Sequence, residues 1–300
     1  MSGMSRRRLL VSAAAMLAAP VRGIAQSGDA TAVAALAALE RRAGGRLGVC
    51  VLDTASGRVV GQRLDERFAM CSTFKLPLAA VVLREAEQGR LRLDERLAYG
   101  ERDLVSNAPV TRAHVADGSM TIEALAEAAQ TTSDNTAANL LLRKLGGPAG
   151  FTALLRASGD RATRLDREEP VLNVVLPGDV HDTTTPREMA SSVARFLAGG
   201  LLGPTSREKL IAWMVATTTG TKRIRAGLPQ GWKAGDKTGT AMADAMTDKY
   251  NDVAIAWPPG RTPMIVAVYF DSARTSSEMR DEDQAVLAEV GRIAAAWIAG

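Results

Sequence analysis

Histidine and cysteine are scarce in this 300-residue chain, which holds two of each: His114, His181, Cys50 and Cys71. No metal-ligand spacing joins them, so a zinc centre or a Ser/His/Asp triad is poorly supplied, and no metal or other cofactor is expected. The sequence leaves open whether the two thiols pair, although an exported protein would permit it. Runs of one charge are missing as well. The excess of 37 Lys and Arg over 33 Asp and Glu resides in the first 25 residues, which carry four arginines and no acid. The remainder is neutral and offers no basic patch to nucleic acid or to an anionic membrane. The apolar stretch from Leu9 to Ala19 is too short to span a bilayer. It follows Arg6, Arg7 and Arg8 and precedes the small residues Gly23 and Ala25, so it reads as an export signal cleaved after Ala25, with Ser5–Leu10 similar to a twin-arginine address. The alternative is an amphipathic helix retained on the protein. Cleavage predicts a periplasmic or secreted protein with no stable membrane association.

What is present is apolar content of 46%, enough for a sizeable core in one large domain or two intimate ones. Ala30–Arg42 has leucines at helical spacing and is ended by Gly44 and Gly45. Arg46–Asp53 and Arg58–Arg63 read as strands joined by the turn TASG. From Ser72 to about Ala216 the signals are almost entirely helical: Leu76–Gln88, Thr121–Thr131, Asn135–Leu145, Gly150–Ser158, Pro186–Ala198 and Ser206–Val215. Strands return at Gly235–Thr240, Asp252–Trp257 and Pro263–Phe270, and Glu282–Ile298 is a closing helix. This order predicts an α+β protein: an antiparallel sheet with flanking helices formed from residues 26–63 and 216–300, and an all-helical unit over residues 64–215. One segment, Arg167–Pro186, is irregular and longer than loops in compact domains usually run, and its apolar residues argue for a packed Ω loop. A monomer is expected, since no exposed apolar repeat suggests assembly.

Ser72 and Lys75 match Ser-X-X-Lys, a spacing that puts a hydroxyl and an amine on one helix face. Lys75 stands among Phe74, Leu76, Leu78, Val81 and Val82. Its amine either snorkels out, the bland reading, or lies in a cleft where desolvation makes it a base for the serine. A second match, Ser206 to Lys209, has charged neighbours and reads as a solvated helix face. Ser133, Asp134 and Asn135 are ordinary N-cap residues before an amphipathic helix. Lys237, Thr238 and Gly239 should lie on a strand, where glycine admits a ligand to the backbone; the bland reading is an exposed lysine on an edge strand.

Together and in this order, the three elements are those of class A β-lactamases and penicillin-binding proteins, and the chain resembles that superfamily. Glu169, Pro170, Leu172 and Asn173 match the class A Ω-loop pattern, and similarity to class A serine β-lactamases extends over RLGVCVLDTASG, SDNTAANLLL, RLDREEPVLN and AGDKTGT. The resemblance implies a β-lactamase/transpeptidase-like fold and hydrolysis of penicillins and cephalosporins through an acyl-enzyme on Ser72. It implies that Lys75, Glu169 through a water, or both take the serine proton, and that the N–H groups of Ser72 and Thr240 form an oxyanion hole. Ser133 would pass a proton to the leaving nitrogen. Asn135 would bind the substrate's side-chain amide, while Lys237, Thr238, Gly239 and Thr240 with Arg223 would line the carboxylate site. Glu169 and Asn173 would place the deacylating water. Arg167 and Asp182 resemble the pair that pins the Ω loop, here expected to be buried.

Several departures bear on substrate preference. Pro77 follows soon after the start of the Ser72 helix. Asn107 replaces an aromatic gatekeeper, and the stretch TAMADAMTDKY is about four residues longer than in typical members, so an enlarged turn and a cleft widened toward bulky cephalosporins are expected. Cys71 has Ala241 where some carbapenem-hydrolysing members carry its partner cysteine, so that disulfide is excluded. A DD-peptidase would share the serine and lysine elements but not Glu169 with Asn173. A non-catalytic sensor is opposed by the filled set of catalytic positions.

Overall fold

The structure, a computed structural model, describes residues 22–244 and 246–300. The export signal expected at residues 1–25 thus lies outside the described residues as far as residue 21. In chain order the elements are α1 (Arg22–Ala43), β1 (Arg46–Asp53), β2 (Val59–Gln62), β3 (Phe68–Ala69), α2 (Lys75–Glu87), β4 (Arg96–Ala98), α3 (Pro109–Ala113), β5 (Ser119–Thr121), α4 (Ile122–Thr131), α5 (Asn135–Lys144), α6 (Gly147–Ala157), β6 (Thr183–Thr184), α7 (Pro186–Leu197), α8 (Pro204–Val215), α9 (Ile224–Gly227), β7 (Lys233–Ala243), β8 (Met246–Trp257), β9 (Met264–Asp271) and α10 (Asp281–Ala299). Short 3₁₀ turns include Cys71–Phe74 just before α2 and Val171–Asn173 in the Ω loop.

Five strands pair antiparallel in the order β2-β1-β9-β8-β7, so the two ends of the chain build one sheet, as the sequence predicts. Both faces are covered. Leu47, Val49 and Val51 of β1 and Val266, Val268 and Phe270 of β9 face Leu36 of α1 and Leu287, Val290 and Trp297 of α10. The alternate residues Ile265, Ala267 and Tyr269 meet the helices between β3 and β7, whose core includes Leu78, Val82, Leu125, Leu141 and Phe196. Burial on both faces explains why β9 reads MIVAVYFD, nearly all apolar, instead of alternating. A single fully buried leucine such as Leu36, with no solvent exposure, contributes roughly 2 kcal/mol through this packing.

Helix ends follow the sequence signals closely. Gly44 and Gly45 adopt φ of +72° and +79° and end α1. Thr121 caps α4 by accepting from Ala124 N, and Thr185 caps α7 by accepting from Glu188 N. The enlarged turn expected after the Lys-Thr-Gly strand is not found. β7 and β8 pair as far as Ala243 opposite Met246, across a bulge between Ala241 and Ala243. The added residues lengthen the ladder because Ala241 and Met246 pack with Ala69, Cys71 and Val175. The Ω loop is packed on one side only: Leu172 and Val175 are buried, whereas Val171, Val174, Leu176 and Val180 are exposed. Among the described residues no helix is long and apolar enough to cross a membrane.

Candidate active site

Ser72 lies in the 3₁₀ turn that leads into α2, and Lys75 opens the α-helix, so the Ser-X-X-Lys spacing points hydroxyl and amine the same way. Lys75 Nζ donates to Ser72 Oγ at 2.9 Å. The lysine has no solvent exposure, which removes the snorkelling alternative. Its ammonium also donates to Ser133 O at 3.0 Å, to Ser133 Oγ at 3.3 Å and to Asn135 Oδ1, and forms an ion pair with Glu169 Oε1 at 2.9 Å. Burial pushes the Lys75 amine below the usual lysine range, and the Glu169 carboxylate opposes that shift. The second Ser-X-X-Lys match builds no site: Lys209 pairs with Glu123 and lies 5.9 Å from the centre of the Trp213 ring.

The Ser-Asp-Asn segment divides its work between the two readings open to it. Asp134 is the N-cap of α5, accepting from Ala137 N at 2.9 Å, and it also accepts from Val110 N, Thr111 N and Thr111 Oγ1. Its neighbours Ser133 and Asn135 turn toward Lys75. Ser133 has φ of +60°, which breaks the helical path between α4 and α5 and holds its hydroxyl between two amines: Lys237 Nζ donates to the same Oγ at 3.0 Å. β7 is the edge strand of the sheet, yet Lys237 is buried without exposure and donates to Thr238 O at 2.8 Å. Burial drives Lys237 well below its usual range, and the nearby Lys75 ammonium adds to the effect. Gly239 is required by close approach: a Cβ there would stand 2.7 Å from Met70 O and 3.1 Å from Thr73.

Ser72 Oγ donates to Glu169 Oε1 at 3.2 Å, the same oxygen that pairs with Lys75 Nζ, so hydroxyl, amine and carboxylate form a closed triangle. Asn173 Nδ2 donates to Glu169 Oε2 at 2.5 Å, and the Glu169–Pro170 peptide is cis. The loop is pinned by Asp182, which is fully buried and accepts from Asp166 N at 2.7 Å, Arg167 N at 3.0 Å and Arg167 Nε at 2.5 Å. The pair is buried only at the acid, since the Arg167 side chain keeps 30% exposure. Arg223 is buried behind β7, donating to Gly239 O at 2.9 Å, Asn251 O at 2.7 Å and Thr240 Oγ1 at 2.6 Å. A cleft of about 460 Å³ joins Ser72, Asn107, Ser133, Asn135, Asn173, Arg223, Thr238 and Thr240. Every residue expected at the site is gathered around or behind this cleft.

Sequence reasoning missed five participants. Asn139, one turn after Asn135, clasps the Glu169 backbone: its Oδ1 accepts from Glu169 N at 2.9 Å and its Nδ2 donates to Glu169 O at 2.9 Å. An asparagine at i+4 on an otherwise apolar buried face was the available signal. Asn251 Nδ2 donates to Ala69 O and Met70 O ahead of the serine, and Thr219 Oγ1 lies 2.7 Å from Thr238 Oγ1. Met242 and Met279 complete the cleft wall. No group of three or more His, Cys, Asp or Glu among the described residues could hold a metal ion. Cys50 and Cys71 are free and buried.

A hydroxyl flanked by a desolvated amine and a carboxylate, under an edge strand rich in donors, is equipped for acyl transfer through serine. A sequence model of the Beta-lactamase enzyme family matches residues 31–298. The chain aligns with β-lactamase AST-1 of Nocardia asteroides at 46% identity over 301 residues, covering 96% of this chain and 94% of that protein. With β-lactamase L2 of Stenotrophomonas maltophilia it shares 48% identity over 88% of this chain and 85% of that one. The solved ancestral GNCA class A β-lactamase superposes with a TM-score of 0.82 at 55% identity, covering 87% of this chain and 98% of that one. The chain belongs to the class A β-lactamase family, hydrolases that open the β-lactam amide bond and confer resistance to these antibiotics.

Proposed function

We propose that Ser72 is the nucleophile of this β-lactamase and that Glu169 directs both the acylation and the hydrolysis of the acyl-enzyme. The observation that carries this reading is the triangle of Ser72 Oγ with Lys75 Nζ at 2.9 Å and Glu169 Oε1 at 3.2 Å, the amine and carboxylate being 2.9 Å apart, with Asn173 on the other carboxylate oxygen. Proton transfer from Ser72 to the Lys75 and Glu169 pair accompanies attack on the lactam carbonyl, whose oxyanion the N–H groups of Ser72 and Thr240 receive. Ser133, held between the amines of Lys75 and Lys237, delivers a proton to the departing nitrogen. A buried Lys237 with Thr238 and Thr240, backed by Arg223, supplies positive charge and hydroxyl donors for the substrate carboxylate. Asn135 binds the side-chain amide. Glu169 and Asn173 then orient the water that frees Ser72.

Penicillins and cephalosporins are the proposed substrates, and the small Asn107 side chain in place of an aromatic favours bulky cephalosporins. We further read the protein as a monomer without nucleic-acid partners, exported after cleavage at Ala25, with a helical unit over residues 64–215 and a sheet unit over residues 26–63 and 216–300. The core on the α1 and α10 face of the sheet, built only from residues between 32 and 60 and between 224 and 298, supports that division.

The test is intact mass measurement after brief mixing with benzylpenicillin, and separately with a bulky cephalosporin, for wild type and Glu169→Ala. Wild type should return to its free mass while the variant retains one adduct on Ser72. An adduct that persists for hours on wild type would overturn the assignment of Glu169.

A further inference from the structure

Eight methionines lie among the described residues, and seven are shielded. Met70, Met189, Met214 and Met264 have no solvent exposure, Met120 and Met246 have 8% and 5%, and Met242 is half-buried. Met279 is 59% exposed. It stands on the rim of the cleft just before α10, with its Sδ 3.8 Å from Arg223 Nη2, which donates to it. The same Nη2 donates to Thr240 Oγ1 at 2.6 Å. The most exposed methionine among the described residues therefore touches the cation behind the substrate strand. Both cysteines are buried and their thiols are pushed up by burial, so thiolate does not compete for an oxidant.

We propose that Met279 is a modification site, at which oxidation by a peroxide weakens substrate binding. Hydrogen peroxide transfers one oxygen to Sδ: the O–O bond breaks as the S–O bond forms, sulfur loses two electrons, and the proton of the transferred hydroxyl joins the departing hydroxide to give water. A thioether sulfur is a weak acceptor, whereas a sulfoxide oxygen is polar and accepts strongly. That oxygen is carried by the atom Arg223 Nη2 already faces. It becomes an internal acceptor for Arg223 and competes with the substrate carboxylate. The inference rests on the proposed role of Arg223 and Thr240 in holding that carboxylate. It predicts a change in binding with the Ser72 chemistry left intact, so KM for benzylpenicillin rises about tenfold while kcat stays within about twofold.

The experiment treats the purified protein with hydrogen peroxide, locates added oxygen by peptide mass mapping, and measures kcat and KM before and after. Met279→Leu and Met242→Leu receive the same treatment, each compared with its own untreated baseline, and Arg223→Ala is measured untreated. The expected result is a KM rise that tracks conversion of Met279, is absent in Met279→Leu, persists in Met242→Leu, and is reversed by a methionine sulfoxide reductase. Complete conversion of Met279 with KM unmoved, or an equal rise in Met279→Leu, overturns the inference. Arg223→Ala separates the two failures. Unchanged KM in that variant removes the assigned role of Arg223, whereas raised KM with an oxidation-insensitive wild type removes only the role of Met279.

Discussion

Replacing Asn139 with leucine tests whether the Ω loop is positioned by the helix beneath it. The side chain is 2% exposed, and its two 2.9 Å hydrogen bonds satisfy both the N–H and the C=O of Glu169, itself buried. Leucine keeps the branched skeleton of four heavy side-chain atoms but leaves both backbone groups without their partners. An unpaired buried polar group costs about 1–3 kcal/mol, and water can reach part of the loop, so the pair is worth about 2–4 kcal/mol. For a chain of this size that lowers Tm by about 3–7 °C. Catalysis should suffer more than folding. A displacement of Glu169 by about 1 Å costs roughly a hundredfold in rate. The water-placing step depends on Glu169 and Asn173 together, so benzylpenicillin should acylate Asn139→Leu and leave it slowly. The assays are a thermal melt and the decay of the acyl-enzyme mass. A variant with wild-type Tm and wild-type deacylation would refute the claim that Asn139 holds Glu169 in place.

The remaining expectations concern the loop latch, the substrate strand and a buried acid. Asp182→Ala removes an acceptor that serves two backbone N–H groups and one guanidinium, and should cost about 3 kcal/mol, whereas Arg167→Ala removes a side chain 30% exposed and should cost about 1 kcal/mol or less. Urea midpoints rank the two, and equal losses would contradict the one-sided burial of the pair. Gly239→Val forces β7 away from Met70 O and Thr73, so kcat/KM should fall more than about tenfold with the far-UV signature kept; full activity would show that the strand has room to spare. Burial, chiefly, raises the Asp236 carboxyl to about 6, above its unfolded value of about 3.9. The folded state then binds that proton more tightly, so this group favours folding below about pH 4 and loses its contribution as pH rises through 6. Asp236→Asn cannot titrate. The stability difference between variant and wild type should therefore shift toward the variant between pH 4 and 7, and a difference that stays constant with pH would exclude the raised value.

Short-range chemistry was legible in the sequence, and long-range chemistry was not. Ser72 and Lys75 sit three residues apart, so their meeting is a property of the local turn. Which of the two Ser-X-X-Lys matches mattered was decided by burial, because Lys209 has Glu123 and Trp213 beside it while Lys75 has a cleft. The partners of Lys75 at residues 133, 135 and 169 come from other elements, and only the family resemblance anticipated them. Asn139 carried only a weak signal, its i+4 spacing from Asn135 on an apolar face, and Asn251 carried none, because the backbone each one clasps comes from a distant element. The β7–β8 hairpin was misjudged for a different reason. Length alone assigned the added residues to the turn, whereas packing of Ala241 and Met246 against Cys71 and Val175 places them in the ladder.

Backbone strain follows the same division. Five described residues other than glycine have left-handed φ, and four of them border the cleft or latch its loop: Cys71 at +46°, Asn107 at +54°, Ser133 at +60° and Asp182 at +55°. Each such residue costs on the order of 1 kcal/mol or more. The strained backbone is held by the site itself: Ser133 O accepts from Lys75 Nζ at 3.0 Å and from Asn107 Nδ2 at 2.8 Å, while Asn107 O accepts from Asn135 N at 2.9 Å. The turn at Ser133 gives the reason. Thr132 is the C-cap of α4 and Asp134 before α5 is extended, so Ser133 forms the corner between the two helices. Its left-handed turn accompanies the placement of Ser133 Oγ against Lys75 and Lys237 together. The Lys237 amine, whose protonation the Lys75 ammonium weakens further, shares with Lys75 one acceptor fixed between them. The strain is thus the structural cost of bringing both lysines to one hydroxyl, and it is offset by the hydrogen bonds that this convergence makes possible.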